Sequence, residues 1–299
     1  MPLPFVLERA MMKTPKRILT LHDVCTLGRC STVTATAVLA ACGVQPCPLV
    51  TALLSSTVDF GDFYACDTLD AVQGSVPYLK RFVGHFDGIY TGYLGSPGQV
   101  DTVLKVFDQL GGTDTLRIVD PVMGDGGALY TTFDHEMVRQ MQRLIARADV
   151  ILPNLTEARL LGDLPADAPL TLEQTAQLAR RLSHGGKCSV VITGAQQQAG
   201  KVTTLCYDRE SGNLYALTHA YVDQHFPGSG DLFASVLTGA HLSGATLLDA
   251  CRQACGFVGM LMELAQNAPL DAMQGLPYEP YLYLLHDGFA TDGVKVQQL

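Results

Sequence analysis

The stretch FPGSGDLFAS, residues 226–235, sets Gly228, Ser229, Gly230 and Asp231 in succession at the head of an apolar helical run. Free N–H groups at a helix start attract an anion, typically a phosphate, and glycines let a ligand approach the backbone. An acid there has two readings. It can simply complement the helix dipole, with Gly-Ser as ordinary turn chemistry, or it can act as a base on whatever the phosphate is transferred to. The rest of the chain must decide between them.

Two other stretches carry acids just past a strand-like run. VDPVMGDGGALY, residues 119–130, places Asp120 at the end of an apolar segment and Asp125 five residues later across a glycine turn. That loop could take hydrated Mg²⁺ or a monovalent cation, or the carboxylates could satisfy turn amides. LPNLTEARLLG, residues 152–162, holds Asn154 and Glu157 where a short helix begins. Thr156 and Glu157 can cap that helix, and Asn154 and Glu157 can hold Mg²⁺ through water, since this ion keeps several waters and takes few direct protein ligands. Thr193 and Gly194 end VVITG and suit a phosphate oxygen. An anion-binding helix start, an acid beside it and separate carboxylates for a divalent cation are the parts needed to move a phosphoryl group to an alcohol. Asp231 would take the proton of the acceptor hydroxyl.

The elements that must position these residues alternate in kind. RILTL, CPLVTAL, FDGIYTGYL, LRIVDPV, DVILPN and CSVVITG read as strands, and the segments between them carry helical patterns. KVTTLCYD and NLYALTHAYV read as an antiparallel hairpin turning at residues 210–213, and two helices follow from Asp231 onward. This βα alternation predicts one three-layer α/β domain, with a mainly parallel central sheet and helices on both faces. Ligands of such sheets bind beyond the carboxyl ends of the strands, where Asp23, Thr51, Tyr93, Asp120, Asn154 and Thr193 fall. No repeat or linker divides residues 17–299, and residues 1–16 read as an N-terminal extension without the pattern of a secretory signal.

DPVMGD, PNLTEA, VVITG and PGSGDLFAS, in this order and at these separations, resemble the motifs of the ribokinase-like fold kinases. TGYLGS after a strand and Thr51 within LVTALLSS make the chain similar to their pyridoxal (vitamin B6) kinase branch, over roughly residues 17–265. The resemblance implies ATP-dependent phosphorylation of the 5′-hydroxymethyl group of a B6 vitamer, with Asp231 as base and Gly228, Ser229 and Gly230 as its anion hole. It implies Asp120, Asp125 and Glu157 around Mg²⁺, and Asp120, Asn154, Glu157, Thr193 and Gly194 around the ATP phosphates. Thr51 and Tyr93 match the vitamin pocket, where an aromatic face packs on a pyridine ring. A homodimer in the cytoplasm is implied as well, while a K⁺ requirement stays open. The first strand end departs from the pattern. His22, Asp23 and VCTLGRCST stand where similar kinases have a serine and then a glycine-asparagine pattern. Asp23 therefore becomes a candidate for holding the ring, and the preferred vitamer stays open. Hydroxymethylpyrimidine or another small alcohol is the alternative acceptor. A vitamin-binding protein without turnover is the remaining reading, but pure binding has no need of a base.

Composition narrows the partners. With 29 acidic against 20 basic residues the net charge is −9, which disfavours nucleic acid and anionic membranes. The most apolar tract, residues 31–58, is broken by Gly43, Pro46 and Pro48 and reads as core rather than as a membrane span. Nine cysteines, an odd number without a C-x-x-C pair, read as reduced thiols, with Cys251 and Cys255 as buried small hydrophobes; the eight histidines have no metal-site spacing.

Overall fold

The computed structural model describes residues 14–299 except 199, 267, 270, 287, 288 and 290, so most of the expected N-terminal extension lies outside the described residues. The chain begins with β1 (Arg17–Leu21), β2 (Val24–Leu27), α1 (Ser31–Ala41), β3 (Gln45–Pro48), β4 (Ala52–Ser56) and β5 (Ala65–Asp67). It continues through α2 (Leu69–Val83), β6 (Phe86–Thr91), α3 (Pro97–Leu110), β7 (Gly111–Val119), the small hairpin β8 (Gly124–Asp125) and β9 (Ala128–Leu129), α4 (His135–Ile145) and β10 (Val150–Ile151). Then come α5 (Leu155–Leu161), α6 (Leu172–Leu182), β11 (Ser189–Gln198), β12 (Lys201–Tyr207), β13 (Leu214–Ala220), α7 (Ser229–Leu242), α8 (Leu247–Gln266) and β14 (Lys295–Gln298).

Nine strands form one sheet in the order β14-β13-β12-β11-β10-β7-β6-β1-β3. Pairing is parallel from β3 across to β11 and antiparallel from β11 to β14. Four of the five β1 residues are buried, three of them apolar, as a strand covered on both faces requires. The chain steps from β1 outward to β3, then reverses across β1 to β6 and runs the other way to β7, β10 and β11. Right-handed crossovers in opposite directions put their helices on opposite faces. Accordingly Val38 and Leu39 of α1 share one core with Val236 of α7 and Phe257 of α8, while Val103 of α3, Met141 of α4 and Leu178 of α6 build the other. The reversal at β1 and β6 is a topological switch point, where a crevice opens beyond the strand ends.

The alternation read from the sequence holds, with one clear difference. CPLVTAL is not one strand. Only Cys47 and Pro48 of it belong to β3, a sheet-edge strand that tolerates Pro46 and Pro48 because one side needs no ladder donors. The chain then leaves the main sheet, and β4 pairs with β2 and β5 in a separate three-stranded sheet over the β1 end. Neither β2 nor the closing strand β14 stood out in the sequence, because each is four residues long and mostly exposed or half-buried. β7 also begins five residues ahead of the apolar run that marks it.

Candidate active site

Gly228 caps α7 with φ +77°, and a Cβ there would lie 2.0 Å from the Arg29 carbonyl oxygen and 3.0 Å from the Cys30 Cα. Only glycine lets the loop before α1 and the start of α7 touch. At that start the amides of Gly228, Gly230 and Asp231 donate to no acceptor among the described residues, whereas Ser229 donates to the Phe226 carbonyl at 3.2 Å. The anion-attracting set thus differs from the expected one: Ser229 is engaged and Asp231 contributes its own amide. Phe226, 2% exposed, anchors the approach to the helix in the core.

The half-buried Asp231 carboxylate sits where α1 and α7 both begin. Burial pushes its pKa up to about 7; the Ser31 amide pulls it down and the Asp23 carboxylate pushes it up. Ser31 opens α1 with φ +50°, a left-handed conformation that a serine adopts at some cost. A carboxylate raised in this way is basic enough to accept a proton and still ionised in part near neutrality.

On one side of Asp231 lies a cleft of about 730 Å³ lined by Asp120, Asp125, Asn154, Glu157, Thr193 and Gly194 together with residues 228–231. Asp120 follows β7, and its amide donates to the Thr91 carbonyl at 2.9 Å. Its pKa is driven well up by burial, then by the neighbouring charges of Glu157 and Asp231. Glu157 and Asn154 form a reciprocal cap on α5: Asn154 Oδ1 accepts the Glu157 amide at 2.9 Å and Glu157 Oε2 accepts the Asn154 amide at 2.8 Å. Glu157 Oε1 accepts the Met123 amide at 3.0 Å, and Asn154 Nδ2 donates to the Gly124 carbonyl at 2.8 Å. Burial nevertheless raises the Glu157 pKa to about 8, against the pull of these amides. The capping residue is thus Asn154 rather than the expected Thr156, and the cap leaves the buried Glu157 carboxylate among the residues that line the cleft.

Asp125 is exposed and accepts the Gly126 amide at 2.7 Å, so turn chemistry occupies part of it. Among the described residues no three His, Cys, Asp or Glu side chains converge as a ready cation cage. Asp120, Asp125 and Glu157 still fit a hydrated Mg²⁺. Asp120 and Glu157 are buried, and a cation would relieve the repulsion that raises Asp120, while the ion's remaining positions would go to water and phosphate.

Asp23, Thr51 and Tyr93 do not line that cleft; they gather on the other side of Asp231, at the ends of β1 and β6. Thr51 donates to the Tyr93 carbonyl at 3.0 Å and Gln99 donates to the Thr51 carbonyl at 3.0 Å, so Thr51 braces the loop that carries Tyr93. The Tyr93 ring packs against Phe133 at 5.5 Å between centroids, and Asp23 is close enough to raise its pKa alongside the larger effect of burial. Asp23 itself is 2% exposed and its pKa is raised by burial. Cys25 Sγ donates to its Oδ2 at 3.2 Å, while Oδ1 has no partner among the described residues. An aromatic ring and a buried carboxylate near one another are residue types that a flat ring carrying a donor could use.

Sequence reasoning missed several neighbours. Thr156 reads as a helix-start residue, yet its hydroxyl accepts the Gly127 amide at 2.9 Å and ties the two acidic loops together. His225 Nε2 meets Asp59 Oδ1 at 3.0 Å across 166 residues of chain, both at the rim of the cleft, and no local pattern could announce such a pair. Tyr90 lay within an apolar strand pattern and carried no signal of its own.

An open α/β sheet with a glycine-capped helix start, a raised carboxylate beside it and a cleft of about 730 Å³ beyond the strand ends is the arrangement of a small-molecule kinase of the ribokinase-like fold. The chain belongs to the phosphomethylpyrimidine kinase family, whose model matches residues 37–275. A pyridoxine/pyridoxal/pyridoxamine kinase of Bordetella pertussis is 26% identical over 87% of this chain and 93% of its own. The hydroxymethylpyrimidine/phosphomethylpyrimidine kinase of Bacillus subtilis is 29% identical over 59% of this chain and 64% of its own. Among solved structures, a protein of Bacteroides thetaiotaomicron assigned to the phosphomethylpyrimidine kinases and crystallised with pyridoxal superposes with TM-score 0.90 at 35% identity, over 96% of this chain and all of that one. Pyridoxal kinase from Lactobacillus plantarum superposes with TM-score 0.81 at 30% identity, over 91% and 97% of the two chains.

Proposed function

We propose that this protein transfers the γ-phosphoryl group of ATP to the 5′-hydroxymethyl oxygen of pyridoxal, pyridoxine or pyridoxamine, within one catalytic domain spanning residues 17–299. The observation that carries the reading is the place of Asp231, between the phosphate-attracting start of α7 and the Asp23–Tyr93 side of the site. Asp231 takes the hydroxyl proton as the alcohol oxygen bonds to the γ-phosphorus and the bond to the β-phosphate oxygen breaks, releasing ADP. The open amides at the head of α7 meet the charge on the transferring group. Asp120, Glu157 and Asp125 would hold the cation, which when bound would neutralise phosphate charge, and Asn154, Thr193 and Gly194 would take the nucleotide phosphates. A second reading, phosphorylation of hydroxymethylpyrimidine, is favoured by the family model and by the Bacillus subtilis relative, and it uses the same machinery.

The homodimer and the cytoplasmic location belong to this proposal, and sedimentation velocity reads the first. Among the described residues no helix is long and apolar enough to cross a membrane.

The acceptor side has its own test. If Asp23 Oδ1 takes a hydrogen bond from the ring, the contact is equal in ground and transition states, so Asp23→Ala should raise KM and spare kcat. A hydrogen bond to a charged group is worth roughly 1.5 to 3 kcal/mol, which predicts about a tenfold to hundredfold rise in KM for B6 vitamers. KM for ATP should stay near its wild-type value. An unchanged vitamer KM in the folded variant would leave Asp23 as a partner of Cys25 and nothing more.

A further inference from the structure

Beneath Asp231 runs a column of buried hydroxyl and imidazole groups that the chemistry above does not use. Thr20, His22, Tyr90, Ser235 and Thr238 are each 0% exposed. Thr20 Oγ1, both ring nitrogens of His22, Tyr90 Oη, Ser235 Oγ and Thr238 Oγ1 have no hydrogen-bond partner among the described residues. Their placement is regular. Asp231, Ser235 and Thr238 fall at i, i+4 and i+7 on one face of α7. Thr20 and Tyr90 are cross-strand partners in the β1–β6 ladder. Tyr90 belongs to the core that α7 covers, and the Ser235 hydroxyl lies beside its phenol. The His22 ring meets the Tyr90 ring edge-on at 4.3 Å, and Gly92 makes room for it, since a Cβ there would come within 2.2 Å of His22 Nδ1. Burial holds the His22 pKa down at about 3, so the imidazole is neutral.

Buried polar groups without partners cost stability, and an apolar residue of the same shape would serve packing better. One stray hydroxyl needs no account, but several on facing sides of one helix–sheet seam, directly under the reacting carboxylate, do. We propose that Tyr90 and Ser235 are positioning residues, whose hydroxyls form a hydrogen-bond relay under Asp231 that turns its carboxylate toward the acceptor alcohol, with neutral His22 bracing the phenol ring. The charges of both Asp120 and Asp231 reach the phenol, so it lies near both acids. The relay acts on the base and touches neither substrate. It rests on the reading of Asp231 as that base.

Tyr90→Phe and Ser235→Ala, assayed with ATP, Mg²⁺ and pyridoxal, should each lower kcat about tenfold and leave both KM values within about twofold. Their melting temperatures should stay close to that of the wild type, because one hydrogen bond of the relay adds little net stability. The double variant should be hardly slower than either single one, since both break the same relay. Wild-type kcat in either folded variant would overturn the relay. So would kcat, KM and melting temperature failing together, which would make the column packing alone. Asp231→Asn in the same assay separates the two ideas: near-normal turnover there removes the base itself, whereas an inactive Asp231→Asn beside a wild-type Tyr90→Phe removes only the relay.

Discussion

Asp231→Asn is expected to fold, to bind ATP and the vitamin with near-normal KM, and to lose about 10² to 10⁴ in kcat, the usual contribution of a positioned general base. The amide keeps the shape of the side chain and can still accept the Ser31 amide through its carbonyl, so the junction of α1 and α7 should survive. What it cannot do is take a proton. Burial and the neighbouring Asp23 raise the acid to about 7, which makes it a much better proton acceptor than an exposed carboxylate. An aspartate present only to complement the α7 dipole would behave otherwise: its loss would be read in stability, at roughly 0.3 to 1 kcal/mol, and hardly in rate. A folded variant turning over near the wild-type rate would remove Asp231 from the mechanism.

The second large effect is expected from the cation. Exhaustive chelation should abolish turnover, and Mg²⁺ should restore it. Burial raises the pKa of both Asp120 and Glu157, and a cation would favour their ionised forms while neutralising the phosphates brought into the cleft. Such a metal supplies several kcal/mol of charge stabilisation, a factor of about 10³ or more in rate. Neither histidine nor thiolate stands with these carboxylates, and both Glu157 oxygens already accept amides, which favours an ion held largely through water and nucleotide phosphate over a soft metal in a protein cage. Binding of the metal should accordingly be weak without nucleotide and tighten with it, as isothermal titration would record. Full activity in rigorously metal-free solution would contradict this half of the account.

The parts of the site that were legible in the sequence are those in which one short segment does the whole job. Residues 228–231 are contiguous, and a helix start concentrates their amides without help from distant chain. Glu157 could be read locally as an acid at the start of α5, but the cap was expected from Thr156 and Glu157, whereas Asn154 is the residue that pairs reciprocally with Glu157. The βα alternation followed from apolar runs separated by helical patterns, which is why the parallel half of the main sheet was expected. Long-range properties were not legible. Ala52 and Leu53 look like a continuation of β3, and only pairing with β2 and β5 draws them into another sheet. Thr51 looked like a free pocket hydroxyl, whereas its donor is spent on the Tyr93 carbonyl. Tyr90 and Ser235 read as a strand aromatic and a small helix residue, and their meaning comes only from α7 packing across β6 and β1.

The central claim, that this cleft phosphorylates the hydroxymethyl group of a B6 vitamer, is tested most directly by incubating the purified protein with ATP and Mg²⁺ against pyridoxal, pyridoxine, pyridoxamine and hydroxymethylpyrimidine, and identifying the products by mass and by phosphorus NMR. The account predicts a 5′-phosphate ester from at least one B6 vitamer with stoichiometric ADP, at a kcat/KM above that for hydroxymethylpyrimidine. Phosphorylation of hydroxymethylpyrimidine alone, or no ester from any of the four while the protein binds ATP, would contradict it.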